Sequence, residues 1–166
     1  MEEALNAQIN AEFWSAYLYL SMSANFSARG LKGFAHWFSV QFREEQDHAR
    51  ILIDYVLARG GRVSLQPIGA VPSSWETPLE AFEQTLEHER KVTEMIGGLC
   101  RLAGEEKDFA TSARLVWFVN EQVEEEETDQ EMIDRLKMVS DDKIGLYMLD
   151  RDLAARAYSA PSGAGE

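Results

Sequence analysis

Apolar side chains recur at steps of three and four along four long stretches of the chain, the spacing of one buried face on an α-helix. On the first stretch, about Glu2 to Ala28, this face reads Leu5, Ile9, Glu12, Ala16, Tyr19, Ser23 and Phe26. On the second, about Leu31 to Arg59, it reads Phe34, Phe38, Gln41, Glu45, His48, Leu52 and Tyr55. The third, ending near Ala103-Gly104, gives Leu79, Phe82, Leu86, Glu89, Thr93, Ile96, Leu99 and Ala103. The fourth, about Asp108 to Val139, gives Leu115, Phe118, Gln122, Glu125, Asp129, Met132 and Leu136. A short fifth helix is expected over about Lys143 to Ala157, after Ser140-Asp141-Asp142. The pattern predicts an all-α protein.

The breaks between these stretches carry their own signals. Gly30 and Gly60-Gly61 follow the first two helices, where glycine enters the left-handed conformation cheaply. A stretch of about 16 residues then contains Pro67, Gly69 and Pro72 and reads as extended loop, an unusual length for a compact domain. Such a segment can carry the chain from one end of a bundle to the other. A few extended residues near Arg62-Val63-Ser64-Leu65 are the only strand-like signal. Thr77-Pro78-Leu79-Glu80 reads as a capping box, with Thr77 as N-cap, Pro78 in the first turn and Glu80 reaching back. Four long helices, short links within each pair and one long crossover between helices 2 and 3 describe an all-α four-helix bundle with a short fifth C-terminal helix; the alternative, a plain up-down bundle, would not need the long second connection. One domain over residues 1–158 and a frayed tail over 159–166 are expected.

Composition narrows the function class. The 166 residues suit one sizeable core, and the 45% hydrophobic content is near the globular average. No apolar run approaches the roughly 20 residues of a spanning helix, so no membrane partner is expected. The start, Met1-Glu2-Glu3, lacks the basic and apolar regions of a signal peptide. A single cysteine, Cys100, forms no internal disulfide, so a cytoplasmic setting is expected. The net charge of -13 repels nucleic-acid phosphates and concentrates cations near acidic clefts.

Each apolar stripe places a carboxylate near its middle. One unpaired buried carboxylate is very costly, and several together repel one another. The stripes hold no Lys or Arg to compensate, so multivalent cations are the natural counter-ions. A second signal does not depend on helix register. Glu12 is followed 33 positions later by Glu45-x-x-His48, and Glu89 is followed 33 positions later by Gln122-x-x-Glu125. Residues at i and i+3 share a helix face, so each pair can reach one site. The di-iron carboxylate pattern takes one Glu from each of two helices and Glu-x-x-His from each of the other two. The first half of the chain fits in full; the second has Gln for Glu and Glu for His.

With these residues in place, the chain resembles the non-haem ferritins of the bacterial and archaeal type over nearly its whole length. The likeness is carried by Asn10-Ala11-Glu12, Tyr17-Leu18-Tyr19-Leu20-Ser21-Met22, Gly33-Phe34-Ala35-His36-Trp37, Glu44-Glu45-Gln46-Asp47-His48-Ala49, Glu87-His88-Glu89 and Glu121-Gln122-Val123-Glu124-Glu125-Glu126. Bacterioferritins place a haem-binding Met after the second-helix Glu; Gln46 stands there, so no haem is expected by that route. Rubrerythrins add a Cys-x-x-Cys domain, which one cysteine cannot make.

The resemblance implies a ferritin-like four-helix bundle and iron storage with ferroxidase activity. It implies one iron held by Glu12, Glu45 and His48. A second would use Glu45 as a bridge, with Glu89, Glu125 and a nearby Gln122. A third position would use Glu44, Glu121, Glu124 and Glu125. Tyr19 matches the family tyrosine beside the metals. The resemblance further implies a homo-oligomeric cage of 24 subunits, Fe(II) as substrate and O2 or H2O2 as oxidant. Carboxylates and one imidazole suit iron in both oxidation states.

Other residues read more plainly. His36 and His88 lie off the stripes, at surface or supporting positions. Cys100 is a small packed side chain, and Trp14, Trp37, Trp75 and Trp117 are core or interface anchors. The run Glu124-Glu125-Glu126-Glu127 points around its helix, so only part of it faces inward. Asp129 falls one turn past Glu125 on the inner stripe, either as an extra polar group on the entry side or through a drift of the register there. Two rival classes remain at this stage. A di-iron redox enzyme that stores nothing is opposed by Gln122-x-x-Glu125. A structural bundle with solvent-facing carboxylates is opposed by the matched spacing.

Overall fold

Five helices follow one another along the described residues: α1 (Glu2–Ala28), α2 (Lys32–Ala58), α3 (Pro78–Glu105), α4 (Phe109–Met138) and α5 (Lys143–Leu153). The structure is a computed structural model that describes residues 1–139 and 142–161. α1 packs along α2, α3 packs along α4, and α5 packs on α2. Short links join the partners of each pair because each first helix stops sharply. Gly30 (φ 81°) and Gly60 (φ 73°) take the left-handed turn that ends α1 and α2. The α3–α4 link instead turns at Lys107 (φ 56°), and Gly104 stays inside α3, so α3 runs slightly past its expected end.

The crossover between α2 and α3 travels the length of α1. Asn6 holds its start, donating to the Arg62 carbonyl at 2.9 Å and accepting from the Ser64 amide at 2.7 Å. Ser21 holds its middle through the Pro72 carbonyl at 2.7 Å, and Arg29 holds its end through the Trp75 and Glu76 carbonyls. From residue 6 to residue 29 a helix rises about 35 Å, so this loop does carry the chain from one end of the bundle to the other. Its backbone is tied by side chains of α1, and among the described residues no strand forms at 62–65.

Capping explains the other starts. Thr77 caps α3 by accepting from the Glu80 amide at 3.1 Å, with Pro78 in the first turn. Glu80 reaches back one residue further than a capping box requires, to the Glu76 amide at 2.7 Å. Asp108 caps α4 and Asp142 caps α5. α2 has no cap of its own; Asp150 of α5 supplies one, its Oδ1 accepting from the Gly33 and Phe34 amides at 2.9 and 3.0 Å. α5 ends at Leu153, earlier than the expected Ala157, and the chain then turns back onto α2. Of the expected tail, residues 162–166 lie outside the described residues, while Ser159, Ala160 and Pro161 line a cavity described below.

The core falls into two apolar clusters. One holds Phe26, Phe34, Phe38, Trp37, Phe82 and Met132 and extends to Leu149 and Leu153 of α5. The other holds Leu5, Ile9, Leu52, Ile96, Leu115 and Phe118. Buried polar residues of all four long helices lie at the level between them. On α1 the inner face passes through Met22, fully buried, rather than Ser23, which is only half-buried. On α2 Val56 is buried in place of the half-buried Tyr55, and on α3 Pro78 and Val92 are buried in place of the half-buried Leu79 and Thr93; the α4 stripe is buried as expected.

Candidate metal centre

Glu12, Glu45, His48, Glu89, Gln122 and Glu125 are all buried, and they come from four helices. One ligand atom each from Glu12, Glu45 and His48 lies within 4.8 Å of the other two, which one cation can bridge. The i, i+3 spacing works as intended: His48 Nδ1 stands 3.5 Å from Glu45 Oε2. Across the bundle, Gln122 Nε2 donates to Glu89 Oε2 at 3.1 Å and reaches the Glu89 carbonyl at 3.2 Å. Tyr19 donates to Glu89 Oε1. Gln41 Nε2 donates to Glu125 Oε2 at 2.8 Å, and Gln8 Nε2 donates to Glu12 Oε1 at 2.8 Å.

Electrostatics shows what this cluster lacks. Burial, reinforced by Glu45, pushes the Glu12 carboxyl up to about 8. Glu45 stands well above the usual carboxylate range, because it is buried and faces Glu89 and Glu125. Burial and then Glu89 raise Glu125 to about 7. Burial also raises Glu89, against the lowering effect of the donors Tyr19 and Gln122. Without a cation, therefore, each of these carboxyls holds its proton more firmly than a free carboxylate does. A divalent ion placed among them would replace the protons and supply the missing positive charge.

Beside this cluster lies a cavity of about 320 Å³, lined by Glu44, His48, Glu121, Glu124, Glu125, Thr128, Arg156 and Ser159–Pro161. All four carboxylates expected at the third iron position thus border one space. Burial raises Glu44, and Arg156 opposes that rise. Of the four consecutive glutamates, Glu125 is buried, Glu126 is half-buried and bonded to Thr93, and Glu124 and Glu127 are exposed.

His36 and His88 keep supporting roles. His36 is exposed and meets the Arg156 carbonyl at 2.8 Å. His88 Nε2 meets Ser15 Oγ at 2.7 Å, and burial pushes its ring down to about 4, so it is neutral. Asp129 is fully buried, as its stripe position requires, and neither carboxylate oxygen has a hydrogen-bond partner among the described residues. Burial, then Glu89 and Glu125, push it up to about 9. Three residues beside the centre were not read from sequence as functional. Gln8 could have been found as the residue one turn before Glu12. Gln41 stood on the stripe as an unexplained polar residue, and Arg156 gave no periodic signal because it lies past the last helix.

A four-helix bundle with a buried carboxylate and histidine cluster from all its long helices defines a metal-binding bundle protein. Residues 2–139 match the Ferritin-like domain family, and the chain belongs to the ferritin family. It is 46% identical over 156 residues to a bacterial non-heme ferritin of Bacteroides fragilis, covering 94% of this chain and 97% of that protein. A bacterial non-heme ferritin of Staphylococcus epidermidis is 38% identical, with 94% of each chain covered. Among solved structures, the open pore ferritin of the hyperthermophilic archaeon Archaeoglobus fulgidus superposes with a TM-score of 0.94 at 50% identity, covering 95% of this chain and 97% of that one. An engineered closed form of the A. fulgidus ferritin also superposes at 0.94, with 48% identity.

Proposed function

We propose that this chain is an iron-storage ferritin subunit whose buried cluster is a di-iron ferroxidase centre. The observation that carries this reading is the convergence of ligand atoms of Glu12, Glu45 and His48 within 4.8 Å of one another in the core. Fe(II) is the substrate. Glu12, Glu45 and His48 hold the first ion; Glu45 bridges to the second, held by Glu89 and Glu125. Gln122 and Tyr19 orient Glu89, Gln41 orients Glu125 and Gln8 orients Glu12. Two Fe(II) ions each give one electron, and O2 takes up both with two protons to leave H2O2 and two Fe(III). Anionic ligands favour Fe(III), which drives the step, and a single imidazole leaves the product loosely enough held to move on.

Glu44, Glu121, Glu124 and Glu125 form the third iron position, at the cavity mouth. The oxidised iron is stored as mineral inside a homo-oligomeric cage, taken as 24 subunits, in the cytoplasm. O2 and H2O2 are both competent oxidants on this scheme. The acidic surface draws Fe(II) toward the shell. Among the described residues no helix is long and apolar enough to cross a membrane.

The deciding experiment is iron retention. Excess Fe(II) is added in air to metal-free protein, the sample is desalted, and soluble iron per subunit is counted. Retention far above two or three per subunit supports storage; retention of two or three only would leave a di-iron enzyme without a store. In parallel, Glu45→Ala with His48→Ala is expected to abolish rapid Fe(II) oxidation. A wild-type rate in that double variant would refute the site assignment.

A further inference from the structure

Arg156 stands three residues beyond α5, and its side chain turns back into the mouth of the carboxylate cavity. Its Nη2 lies 2.7 Å from Glu44 Oε2 and also donates to Gln41 Oε1. Nη1 donates to the Trp37 carbonyl at 3.3 Å, and the guanidinium carbon lies 4.5 Å from the centre of the Trp37 ring. The residue's own carbonyl meets His36 at 2.8 Å. Two residues on, Tyr158 donates to Asp47 and lies 4.0 Å from the Arg43 guanidinium. The segment is therefore strapped to α2 at several points, and the guanidinium is held rather than free.

Two consequences follow from this geometry. Among the residues lining the cavity there are four glutamates and one guanidinium, so Arg156 is the built-in positive charge of that space. Arg156 also fixes the Gln41 amide. With the guanidinium against Oε1, the Gln41 amide nitrogen must point the other way, where it donates to Glu125 Oε2 at 2.8 Å. One arginine thus acts on Glu44 directly and on Glu125 through Gln41.

We propose that Arg156 is a positioning residue that serves as the resident cation of the third iron position, holding Glu44 until an incoming divalent ion displaces it. This rests on the ferroxidase reading of the neighbouring cluster. A cation that takes Glu44 Oε2 must break the 2.7 Å pair, and one at Oε1 meets the guanidinium's positive charge, so Arg156 competes with it and keeps the third position weak. Weakness suits a position through which iron passes rather than stays. Of the ligands of the two inner ions, Glu12, Glu45, His48 and Glu89 have no contact with Arg156, and Glu125 is reached only through Gln41.

The test is anaerobic calorimetric titration of metal-free protein with Co(II), which is not oxidised, with the visible bands of bound Co(II) as a second readout. Three variants are compared with wild type: Arg156→Gln, Arg156→Lys and Tyr158→Phe. Arg156→Gln is expected to bind the third Co(II) at least about tenfold more tightly, with the first inner ion, held by Glu12, Glu45 and His48, unchanged. Arg156→Lys keeps the charge and stays near wild type. Tyr158→Phe loosens the strap without removing the charge, and its third-ion affinity also stays near wild type. An unchanged or weaker third ion in Arg156→Gln overturns the proposal, as does an equal gain in Tyr158→Phe. If wild type binds no Co(II) at all, the fault lies with the ferroxidase reading itself; if it binds two and Arg156→Gln does not gain a third, only the role of Arg156 fails.

Discussion

Tyr19 on α1 donates its hydroxyl hydrogen to Glu89 on α3, the same carboxylate that Gln122 of α4 reaches from its other oxygen. Three helices thus fix one ligand. The Tyr19 ring is fully buried and stacks on Phe38 at 6.2 Å, so the hydroxyl is the only part that Tyr19→Phe removes. The variant is expected to fold and to bind the same number of divalent ions. Loss of one buried hydrogen bond should cost about 1–2 kcal/mol, a fall of a few degrees in Tm. Stopped-flow Fe(II) oxidation is expected to slow severalfold, because Glu89 is left with one donor to orient it. An unaltered oxidation rate would make Tyr19 a packing residue only.

Proton uptake supplies a second test. Glu12 and Glu125 are raised to about 8 and about 7, so at pH 6.5 both hold protons in the metal-free protein. Cation binding must expel them. Anaerobic Zn(II) titrations in two buffers of different ionisation enthalpy should therefore show proton release at pH 6.5 that falls away by about pH 8.5. Affinity should climb with pH over the same window. The sign for stability is the reverse of the common carboxylate case. The folded groups bind protons that the unfolded chain has already lost, so the metal-free fold weakens as pH rises from the ordinary carboxylate range to about 8. Binding with no proton release at pH 6.5 would mean that the cluster is ionised without metal.

Much of this site was legible because the chemistry repeats at a fixed interval. Glu12 with Glu45-x-x-His48, and Glu89 with Gln122-x-x-Glu125, can be read without knowing how the helices pack. The stripes then placed Phe38, Phe82, Leu115 and Asp129 inside, where they are. What escaped depends on contacts between distant segments. Asp150 caps α2 from 117 positions away, and Arg156 meets Glu44 from 112 positions away. No periodicity encodes such pairs. The early end of α5 escaped as well, since Ala154 and Ala155 are good helix formers, while the contacts of Arg156 and Tyr158 with α2 join distant segments.

Asp129 is a fully buried carboxyl without a hydrogen-bond partner among the described residues, raised to about 9. In the unfolded chain it ionises near the ordinary aspartate value of 3.8. Between those limits the folded state must keep a proton that the unfolded state has shed, so Asp129 costs progressively more stability as pH rises. At pH 7 the cost is at most about 4 kcal/mol, taking roughly 1.4 kcal/mol per pH unit. Asp129→Asn keeps the shape and removes the titration. The variant should match wild type near pH 4 and gain Tm over it steadily toward pH 9 in metal-free protein. Parallel Tm curves across that range would show that Asp129 is ionised in the fold and finds its compensation elsewhere.

Gly33 shows how tightly α5 is seated on α2. A Cβ built there would lie 1.5 Å from the Asp150 carbonyl oxygen, which is backbone and cannot swing aside. On an unobstructed helix, Gly→Ala stabilises by up to about 1 kcal/mol. Here the same change must push α5 away, breaking the two hydrogen bonds that the Gly33 and Phe34 amides donate to Asp150 Oδ1 and pulling Leu149 and Leu153 out of the core. Asp150→Ala removes the cap alone and should cost about 1 kcal/mol. Gly33→Ala should cost more than that, despite its better helix propensity. Because Arg156 follows α5 closely, Gly33→Ala should also disturb the third cation position, while Asp150→Ala should do so far less. Thermal melts of both variants, with Co(II) titration alongside, decide the point. A Gly33→Ala protein as stable as wild type would mean that α5 is not held where the structure places it.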